Sequence, residues 1–273
     1  QNYLIKMVKK SPLWGLRSCS MQSFRSWVAF IRDFGRFKAL SSQEESRFPL
    51  KWQDCHPCLQ DKTKITKFDR HYVYHTAWAA RILAQTHPED HVDIASNVYF
   101  SAVVSAFIPV KFYDYRPAKI MLDQLTVDRA DLLALPFGDE SIRSLSCMHV
   151  VEHIGLGRYG DPLDPDGDLK AIAELKRVLA PGGNLLFVVP VGQPKILFNA
   201  HRIYSYQQVL QSCSDLVLRE FALIPDKSYN GGIIIVPATQ KMADAQTYGC
   251  GCFWFKRINT FYSGEMSWVS PAH

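Results

Sequence analysis

The chain has 273 residues and a formal net charge of +5 at pH 7; 47% of its residues are hydrophobic and 21% are charged. This composition excludes a disordered or collagen-like chain and is typical of a single α/β unit with an extension. The longest nearly apolar run, from Val98 to Val110, is too short to cross a bilayer. We therefore expect a soluble globular protein.

The seven cysteines form an odd set, which disfavours a closed disulfide framework and favours a reducing compartment. The predicted location is therefore the cytoplasm. Two close pairs, Cys55 with Cys58 and Cys250 with Cys252, offer the atoms of a four-cysteine zinc site, but they lie far apart in sequence. Unpaired or buried thiols are the favoured interpretation, and no metal ligand is assigned.

The positive charge is concentrated at the N-terminus. Residues 1–40 carry eight Lys and Arg against Asp33 alone, so this segment has a net charge of +7 and the remainder −2. Apolar residues recur there at helical spacing and predict an amphipathic helix: Phe24, Trp27, Val28, Ile31, Phe34 and Phe37.

Such a helix either packs on the main domain, which is the commoner outcome, or lies on an anionic membrane surface. We favour packing and retain peripheral membrane contact through residues 1–40 as the alternative. The basic stripe does not continue into the rest of the chain, so no nucleic-acid partner is expected. Residues 1–50 are interpreted as a basic arm and linker, and residues 51–273 as one domain.

From Arg70 onward, helical and strand patterns alternate. A helix from Arg70 to Gln85 precedes a strand from His91 to Ala95, and the next helix begins near Asn97. Later strands are predicted in "VKFYDY", "LTVDRADL", "SIRSLSCMHVV", "LLFVVP" and "LVLREFALI", with "GGIIIVPA" and "CFWFKRI" competing for a terminal antiparallel strand. The alternation predicts a Rossmann-like, doubly wound, mostly parallel α/β sheet with an N-terminal helical extension.

Polar residues follow the predicted strands where a parallel sheet binds ligands, beyond the carboxyl ends. The candidates, in strand order, are Asp93, Ser96 and Asn97; Asp114 and Tyr115; Asp131 and Leu132; and His149, Glu152 and His153. These positions predict a binding site at one edge of the sheet.

Three segments in this order resemble the class I S-adenosylmethionine-dependent methyltransferases, over roughly residues 91–224. They are "FYDYRP", "ADLLALPFGDESIRSLSCMHVVEHI" and "LKRVLAPGGNLLFVVP". A closer resemblance, over nearly the whole chain, is to a methyltransferase-like family first catalogued from nematodes as of unknown function and also found in bacteria.

The resemblance implies S-adenosylmethionine as cofactor, with Asp114 on the ribose hydroxyls and Asp131 near the adenine. The remaining residues expected around this cofactor are Asp93, Ser96, Asn97, Tyr115, Leu132 and His149. The first motif departs from the glycine-rich family pattern, because Ala95, Asn97 and Tyr99 stand at its glycine positions. Asn97 is expected to keep one left-handed conformation, and Tyr99 to occupy space near the cofactor.

The segment after the fourth strand spells His149-x-x-Glu152-His153, the spacing of an inverted zinc-protease motif. That motif needs both histidines on one helical face, whereas His149 ends an apolar strand, so we predict no metal there. We instead predict that His153 is a general base oriented by Glu152. The alternative is that His153 is a structural or helix-capping histidine.

Two further groups are predicted to bind the acceptor. Arg158, Tyr159 and Asp161 lie on a long loop beside the predicted cleft, and His201 and Arg202 follow the fifth strand. Arg202 suits a phosphate or carboxylate, and equally an ion pair with a surface acid. Three residues of the helix before the first strand are interpreted as structural: Arg70, His71 and His75.

The sequence therefore predicts methyl transfer from S-adenosylmethionine to an oxygen or nitrogen of a small polar acceptor, with a saccharide as the candidate class. The alternative is a degenerate methyltransferase fold that no longer binds this cofactor. Such a fold would serve as a binding module or bind another nucleotide ligand, such as a nucleotide sugar.

Overall fold

The computed structural model describes residues 21–41, 48–227 and 234–258. By internal packing the chain forms two units, residues 1–67 and residues 68–273. The predicted boundary at residue 50 stays a prediction, as does membrane contact through the arm. Four basic residues of the N-terminus and its cysteine lie outside the described residues: Lys6, Lys9, Lys10, Arg17 and Cys19.

The first unit contains the amphipathic helix that the spacing predicts, α1 (Met21–Ser41), and a short 3-10 turn, Trp52–Asp54. The rings of Phe34 and Phe30 lie 5.0 and 6.1 Å from the ring of Trp52, measured between centroids. Other apolar residues of the helix are half-exposed or more: Phe24, Val28, Ile31 and Phe37. Among the described residues, no helix is long and apolar enough to span a membrane.

The second unit is a seven-stranded sheet with helices on both faces. Its strands, with one separate hairpin, are β1 (His91–Ile94), β2 (Val110–Asp114), β3 (Leu125–Arg129), β4 (Ile142–Met148), β5 (Leu179–Val191), the hairpin β6 (Lys195–Leu197) and β7 (His201–Ile203), β8 (Val217–Ile224) and β9 (Gly249–Lys256). The helices are α2 (Arg70–Thr86), α3 (Val98–Val104), α4 (Gly167–Val178), α5 (Tyr206–Ser212) and α6 (Gln240–Asp244).

The strand order in the sheet is β3-β2-β1-β4-β5-β9-β8. β1 pairs in parallel with β2 and β4, β2 with β3, and β4 with β5, whereas β9 is antiparallel to both of its neighbours. The predicted doubly wound, mostly parallel fold class is confirmed.

The continuous apolar run of β5 reflects burial on both faces of the sheet. Leu185 and Phe187 belong to the core cluster that contains Leu175 of α4. Leu186 and Val188 alternate with them and belong to the opposite cluster, which contains Trp78 of α2. β5 is therefore the centre of both cores, and its carboxyl end lies beside that of β4.

The competition for the antiparallel position is resolved in favour of "CFWFKRI", which forms most of β9. In "GGIIIVPA", residues 231–233 lie outside the described residues, and Ile235 forms an isolated bridge with Leu223 of β8 instead of a strand. The β6–β7 hairpin was not predicted, because each of its strands has only three residues.

Candidate functional site

Two adjoining cavities open at the carboxyl ends of the parallel strands. The larger, of about 1320 Å³, lies over β1, β2 and β4 and extends to the start of α2. The smaller, of about 210 Å³, lies over the ends of β2 and β3. Six residues line both cavities: Ala95, Asp114, Arg116, His149, His153 and Tyr159.

The loop after β1 reaches the larger cavity without a glycine. Ala95 itself takes the left-handed conformation, with φ of 52°. Asn97 has an ordinary φ of −66° and caps α3, its side chain accepting a hydrogen bond from the backbone of Tyr99. The expectation that Asn97 is the left-handed residue is therefore wrong. Tyr99 is 78% exposed, so it lies at the rim and does not fill the cavity.

Asp93 and Ser96 hold this loop from below. Asp93 is fully buried, and its Oδ1 accepts the hydroxyl of Ser146 at 2.6 Å. Burial raises the pKa of Asp93 to about 6, although hydrogen bonds from serine hydroxyls oppose the rise. Ser96 accepts a hydrogen bond from the backbone N–H of Met148 at 3.0 Å and so ties the loop to the end of β4. Asp93 therefore supports the loop from the core.

The same network includes His91, whose ring nitrogens lie 2.8 and 2.9 Å from the hydroxyls of Ser144 and Ser146. Burial lowers the pKa of His91 to about 3. The side chains around β1 thus form a buried hydrogen-bond network in which the imidazole of His91 is neutral at pH 7.

The ends of β2 and β3 form the smaller cavity. Asp114 lines both cavities, and its Oδ1 accepts the backbone N–H of Arg116 at 2.7 Å. Asp131 accepts the backbone N–H of Leu133 at 2.9 Å. Tyr115 and Leu132 complete this wall of the smaller cavity. The structure therefore brings together the four residues predicted at these two strand ends.

His149 follows β4 in a left-handed conformation, with φ of 58°. Its Nδ1 lies 2.8 Å from Oε1 of Glu152, and its Nε2 lies 3.3 Å from Sγ of Cys250. Glu152 is 1% exposed, and its Oε1 lies 3.9 Å from Nε2 of His153. The hydrogen bond of Glu152 is therefore to His149, and not to His153 as the sequence predicts.

His153 is oriented by a backbone carbonyl. Its Nδ1 lies 2.6 Å from the oxygen of Ala200, a distance that requires a proton on Nδ1. The neutral ring then carries its lone pair on Nε2. Arg158 donates to the same carbonyl oxygen at 3.1 Å. His153 lines both cavities, as a general base at this position would require.

The loop after His153 closes over the junction of the two cavities. The ring of Tyr159 lies 4.6 Å from the guanidinium carbon of Arg116 and 5.7 Å from the ring of His153. Asp161 accepts backbone N–H bonds from Gly155 at 2.7 Å and from Tyr159 at 3.2 Å. Gly155 has φ of 80°, and a Cβ there would collide with the backbone oxygen of Asp164. Asp161 and Gly155 thus set the loop's shape.

The two residues predicted after β5 separate in the structure. His201 lines the larger cavity, and burial lowers its pKa. Arg202 is 5% exposed; it donates to the carbonyl oxygen of Ile154 at 2.6 Å and lies 3.5 Å from a carboxylate oxygen of Asp168. Its guanidinium therefore holds the loop against α4 and does not line the larger cavity.

Strand order identifies the fold. The order β3-β2-β1-β4-β5 is that of a Rossmann sheet, and the antiparallel β9 between β5 and β8 distinguishes its methyltransferase variant. The chain has the class I methyltransferase fold. Residues 136–212 match the family described as "Caenorhabditis protein of unknown function, DUF268", which confirms the resemblance to the family first catalogued from nematodes over these residues.

Two solved methyltransferase structures are similar to this chain at low sequence identity. The N-methyltransferase NodS from Bradyrhizobium japonicum WM9, in complex with S-adenosyl-L-homocysteine, is 13% identical; the match covers 74% of this chain and 91% of NodS, with a TM-score of 0.48. The 1,6-didemethyltoxoflavin-N1-methyltransferase of Burkholderia thailandensis is 11% identical, covering 68% and 79%, with a TM-score of 0.48. A comparison with curated protein sequences finds no significant match.

Several residues of this methyltransferase-fold site were not assigned from the sequence. Arg116, Tyr72, Tyr248 and His71 line the larger cavity. Burial raises the pKa of Tyr248 to about 12, with the Glu152 carboxylate adding to the rise. His71 and Tyr72 lie on the first turn of α2, where their helical pattern gave no sign that they face a cavity. Tyr248 precedes β9, whose place in the sheet the sequence left open.

Proposed function

We propose that this chain transfers a methyl group from S-adenosylmethionine to an oxygen or nitrogen of a small polar acceptor. The observation that carries the proposal is the pair of adjoining cavities that meet at Asp114, at the carboxyl ends of β1, β2 and β4. Ligands of open α/β sheets bind at this edge. The two volumes suit a purine on one side and an amino-acid moiety with an acceptor on the other.

The residues present fit the cofactor despite the missing glycines. Ala95 takes the left-handed conformation that the loop needs, and Tyr99 is at the rim. Asp114 uses part of one carboxylate oxygen on Arg116, and a carboxylate offers about four acceptor positions, so two ribose hydroxyls can still bind. Leu132 and Asp131 would contact the adenine from the smaller cavity.

S-Adenosylmethionine supplies an electrophilic methyl group on a sulfonium sulfur, and transfer leaves the acceptor with one proton to lose. His153 takes this proton at Nε2, because Nδ1–H is held by the carbonyl of Ala200. The chain's remaining contribution is to position the acceptor and exclude water. Tyr159, packed on His153 and Arg116, covers the point where the two cavities meet.

The lining of the larger cavity favours a small, polar, hydroxyl-bearing acceptor. Arg158 and His201 offer hydrogen-bond donors. The rings of Tyr72, Tyr159 and Tyr248 offer flat surfaces for a compact polar ring. A saccharide has both features, hydroxyl groups at its edge and apolar C–H groups on its face. We therefore retain a saccharide as the candidate acceptor class.

Calorimetric titration with S-adenosylmethionine and S-adenosylhomocysteine tests the proposal, with a panel of nucleotide sugars alongside. We expect micromolar binding of both adenosyl compounds, about −8 kcal/mol. Binding of a nucleotide sugar without either adenosyl compound would support the alternative of a different nucleotide ligand. No heat with any of them, on protein whose circular dichroism shows it folded, would support a binding module that has lost the cofactor.

A further inference from the structure

Three side chains from three separate elements bring metal-ligand atoms together beneath the larger cavity. They are His71 from the first turn of α2, His149 from the end of β4, and Cys250 from the start of β9. One atom from each lies within 4.8 Å of the other two. His149 and Cys250 are buried, and His71 and His149 line the cavity.

We propose that His71, His149 and Cys250 bind a divalent transition metal of the zinc class, leaving one coordination position open to the cavity. Two imidazole nitrogens and one thiolate form a borderline-soft donor set, which suits zinc or cobalt and disfavours magnesium and calcium. Three protein ligands with an open fourth position are the arrangement of catalytic zinc sites, including those with two cysteines and one histidine. The sequence alone predicts no metal at His149, because the other two ligands come from distant parts of the chain.

The distances are close to those of a tetrahedral site. Zinc–nitrogen and zinc–sulfur bonds of about 2.1 and 2.3 Å place adjacent ligand atoms about 3.5 Å apart. Nε2 of His149 and Sγ of Cys250 are 3.3 Å apart, which is already near that separation. No two ligand atoms of the triad are more than 4.8 Å apart, so forming the site needs a shift of at most about 1 Å, which a side-chain rotation of the half-buried His71 can provide.

Glu152 occupies the position of a supporting carboxylate. Its Oε1 lies 2.8 Å from Nδ1 of His149, on the ring edge opposite the nitrogen that faces Cys250. Metal-bound histidines usually donate their second N–H to such a carboxylate, which fixes the ring and raises its basicity. Glu152 is 1% exposed, and within the described part of the chain its Oε2 has no hydrogen-bond partner. A buried carboxylate needs a compensating charge, which a dication would provide.

The imidazole ring of His149 packs against two other imidazole rings. The rings of His71 and His149 are parallel within 3°, with centroids 5.9 Å apart. The ring of His75 meets that of His149 at 5.1 Å. His75 is fully buried, and in the described residues neither of its nitrogens has a hydrogen-bond partner. Among the described residues, the unpartnered buried atoms at this position are both ring nitrogens of His75 and Oε2 of Glu152. Such atoms are costly to leave unsatisfied, and a bound dication would offset the carboxylate of Glu152.

The residues of the His149-x-x-Glu152-His153 segment have other roles here than in a zinc-protease motif. His149 contributes a ligand and Glu152 supports it, whereas Nδ1 of His153 is engaged by Ala200. Cys250 contributes without the four-cysteine arrangement considered from the sequence. If the proposed methyl transfer holds, an acceptor hydroxyl next to His153 would bind at the open position, and the metal would lower the pKa of that hydroxyl. This role, but not the metal site, rests on the proposed function.

Cobalt titration of the full chain, freed of metal with a chelator, tests the site. We expect one equivalent of Co²⁺ to give thiolate-to-cobalt charge-transfer absorption and the d–d bands of a four-coordinate ion, and one equivalent of Zn²⁺ to displace it. Cys250→Ala should lose the charge-transfer absorption. The double variant Cys55→Ser/Cys58→Ser is the matched control, because it removes two other thiols, and it should retain the spectrum.

Two milder variants keep the test valid if Cys250→Ala fails to fold. His71→Ala removes a half-buried ligand and should weaken zinc binding at least tenfold. Glu152→Gln should weaken it about 10- to 100-fold through the orientation of His149. Absence of charge-transfer absorption in the wild type, or a spectrum that survives Cys250→Ala or disappears in the double variant, would overturn the proposal.

The metal test is separable from the proposed function. Titration of the metal-free and zinc-loaded protein with S-adenosylhomocysteine runs alongside. Cofactor binding with no cobalt spectrum would remove the metal site alone, whereas a cobalt spectrum without cofactor binding would remove methyl transfer and leave the metal site in place.

Discussion

Nδ1 of His153 lies 2.6 Å from the carbonyl oxygen of Ala200, the residue that precedes β7. A hydrogen bond to a carbonyl needs Nδ1–H, and this short contact outweighs the 3.3 Å approach of the donor-only Arg158 Nη1 to the same nitrogen. Nε2 is therefore the nitrogen that can accept a proton. The β6–β7 hairpin thereby orients the ring of His153, a role that the sequence predicts for Glu152. The carboxylate of Glu152 instead holds His149.

Replacing His153 should separate catalysis from cofactor binding. We expect His153→Gln to lower kcat for methyl transfer about 100- to 10,000-fold, the usual contribution of a general base. The affinity for S-adenosylhomocysteine should change less than threefold, because the base contacts the acceptor's proton. Formation of S-adenosylhomocysteine with a panel of hydroxyl and amine acceptors measures the first quantity, and calorimetry the second. A variant with wild-type turnover would show that another group takes the proton.

Asp114 should decide nucleoside binding. Asp114→Asn keeps an oxygen for the backbone N–H of Arg116 but loses the charge that binds ribose hydroxyls. We expect at least a tenfold loss of affinity for S-adenosylhomocysteine, measured by calorimetry. Asp128→Asn is the matched control, since the exposed Asp128 makes the same 2.7 Å bond to the next backbone N–H, in β3. If both variants bind S-adenosylhomocysteine with equal affinity, the assignment of Asp114 to the ribose hydroxyls is wrong.

The strand-end rule located one side of the site from sequence because parallel strands carry their carboxyl ends to one edge. Asp114, Asp131 and His149 all line a cavity there. The apolar run of β5 likewise placed a central strand, since only burial on both faces explains it. These features depend on periodicity and chain order, which the sequence shows directly.

The other side of the site depends on pairings that chain order does not show. Cys250 reaches His149 across 101 positions because β9 runs antiparallel and brings its amino end to the carboxyl end of β5. Glu152 pairs with His149 because a 3-10 turn, Val151–His153, folds the segment back. Neither the strand's place in the sheet nor that short turn leaves a periodic signal in the sequence.

The left-handed residue after β1 gives a test of how the loop manages without glycine. A left-handed Ala costs about 1–2 kcal/mol, and the extra freedom of Gly in the unfolded chain costs about 0.5–1 kcal/mol. Ala95→Gly should therefore leave the free energy of unfolding unchanged or raise it by about 1 kcal/mol, and cofactor affinity should not fall. Urea unfolding followed by circular dichroism measures the change.

Ala102→Gly is the control for that substitution. Ala102 lies in α3, where the same change costs about 1 kcal/mol because glycine is a poor helix former. If Ala95→Gly destabilises the protein as much as Ala102→Gly does, the left-handed conformation at residue 95 is not a source of strain.

Stability below neutral pH should depend on buried groups whose pKa shifts have opposite signs, and His91 and Asp93 are two of them that share Ser146 as a hydrogen-bond partner. His91 has a folded pKa of about 3 against 6.5, so its contribution is present above pH 6.5 and is lost as the pH falls towards 3. Asp93 has a folded pKa of about 6 against 3.8, so its contribution is present below pH 3.8 and is lost as the pH rises through 6. Between pH 4 and 6 the two slopes oppose each other.

Asp93→Asn should remove one of these slopes. On acidification from pH 6 to 4, the free energy of unfolding of the variant should fall by about 2 kcal/mol more than that of the wild type. This difference follows from the folded and unfolded pKa values of Asp93. Asp128→Asn, at an exposed carboxylate, should follow the wild type. Urea unfolding at pH 4, 5 and 6 supplies the three curves. Parallel curves for Asp93→Asn and the wild type would mean that Asp93 is ionised in the fold throughout this range, and that its serine hydrogen bonds outweigh its burial.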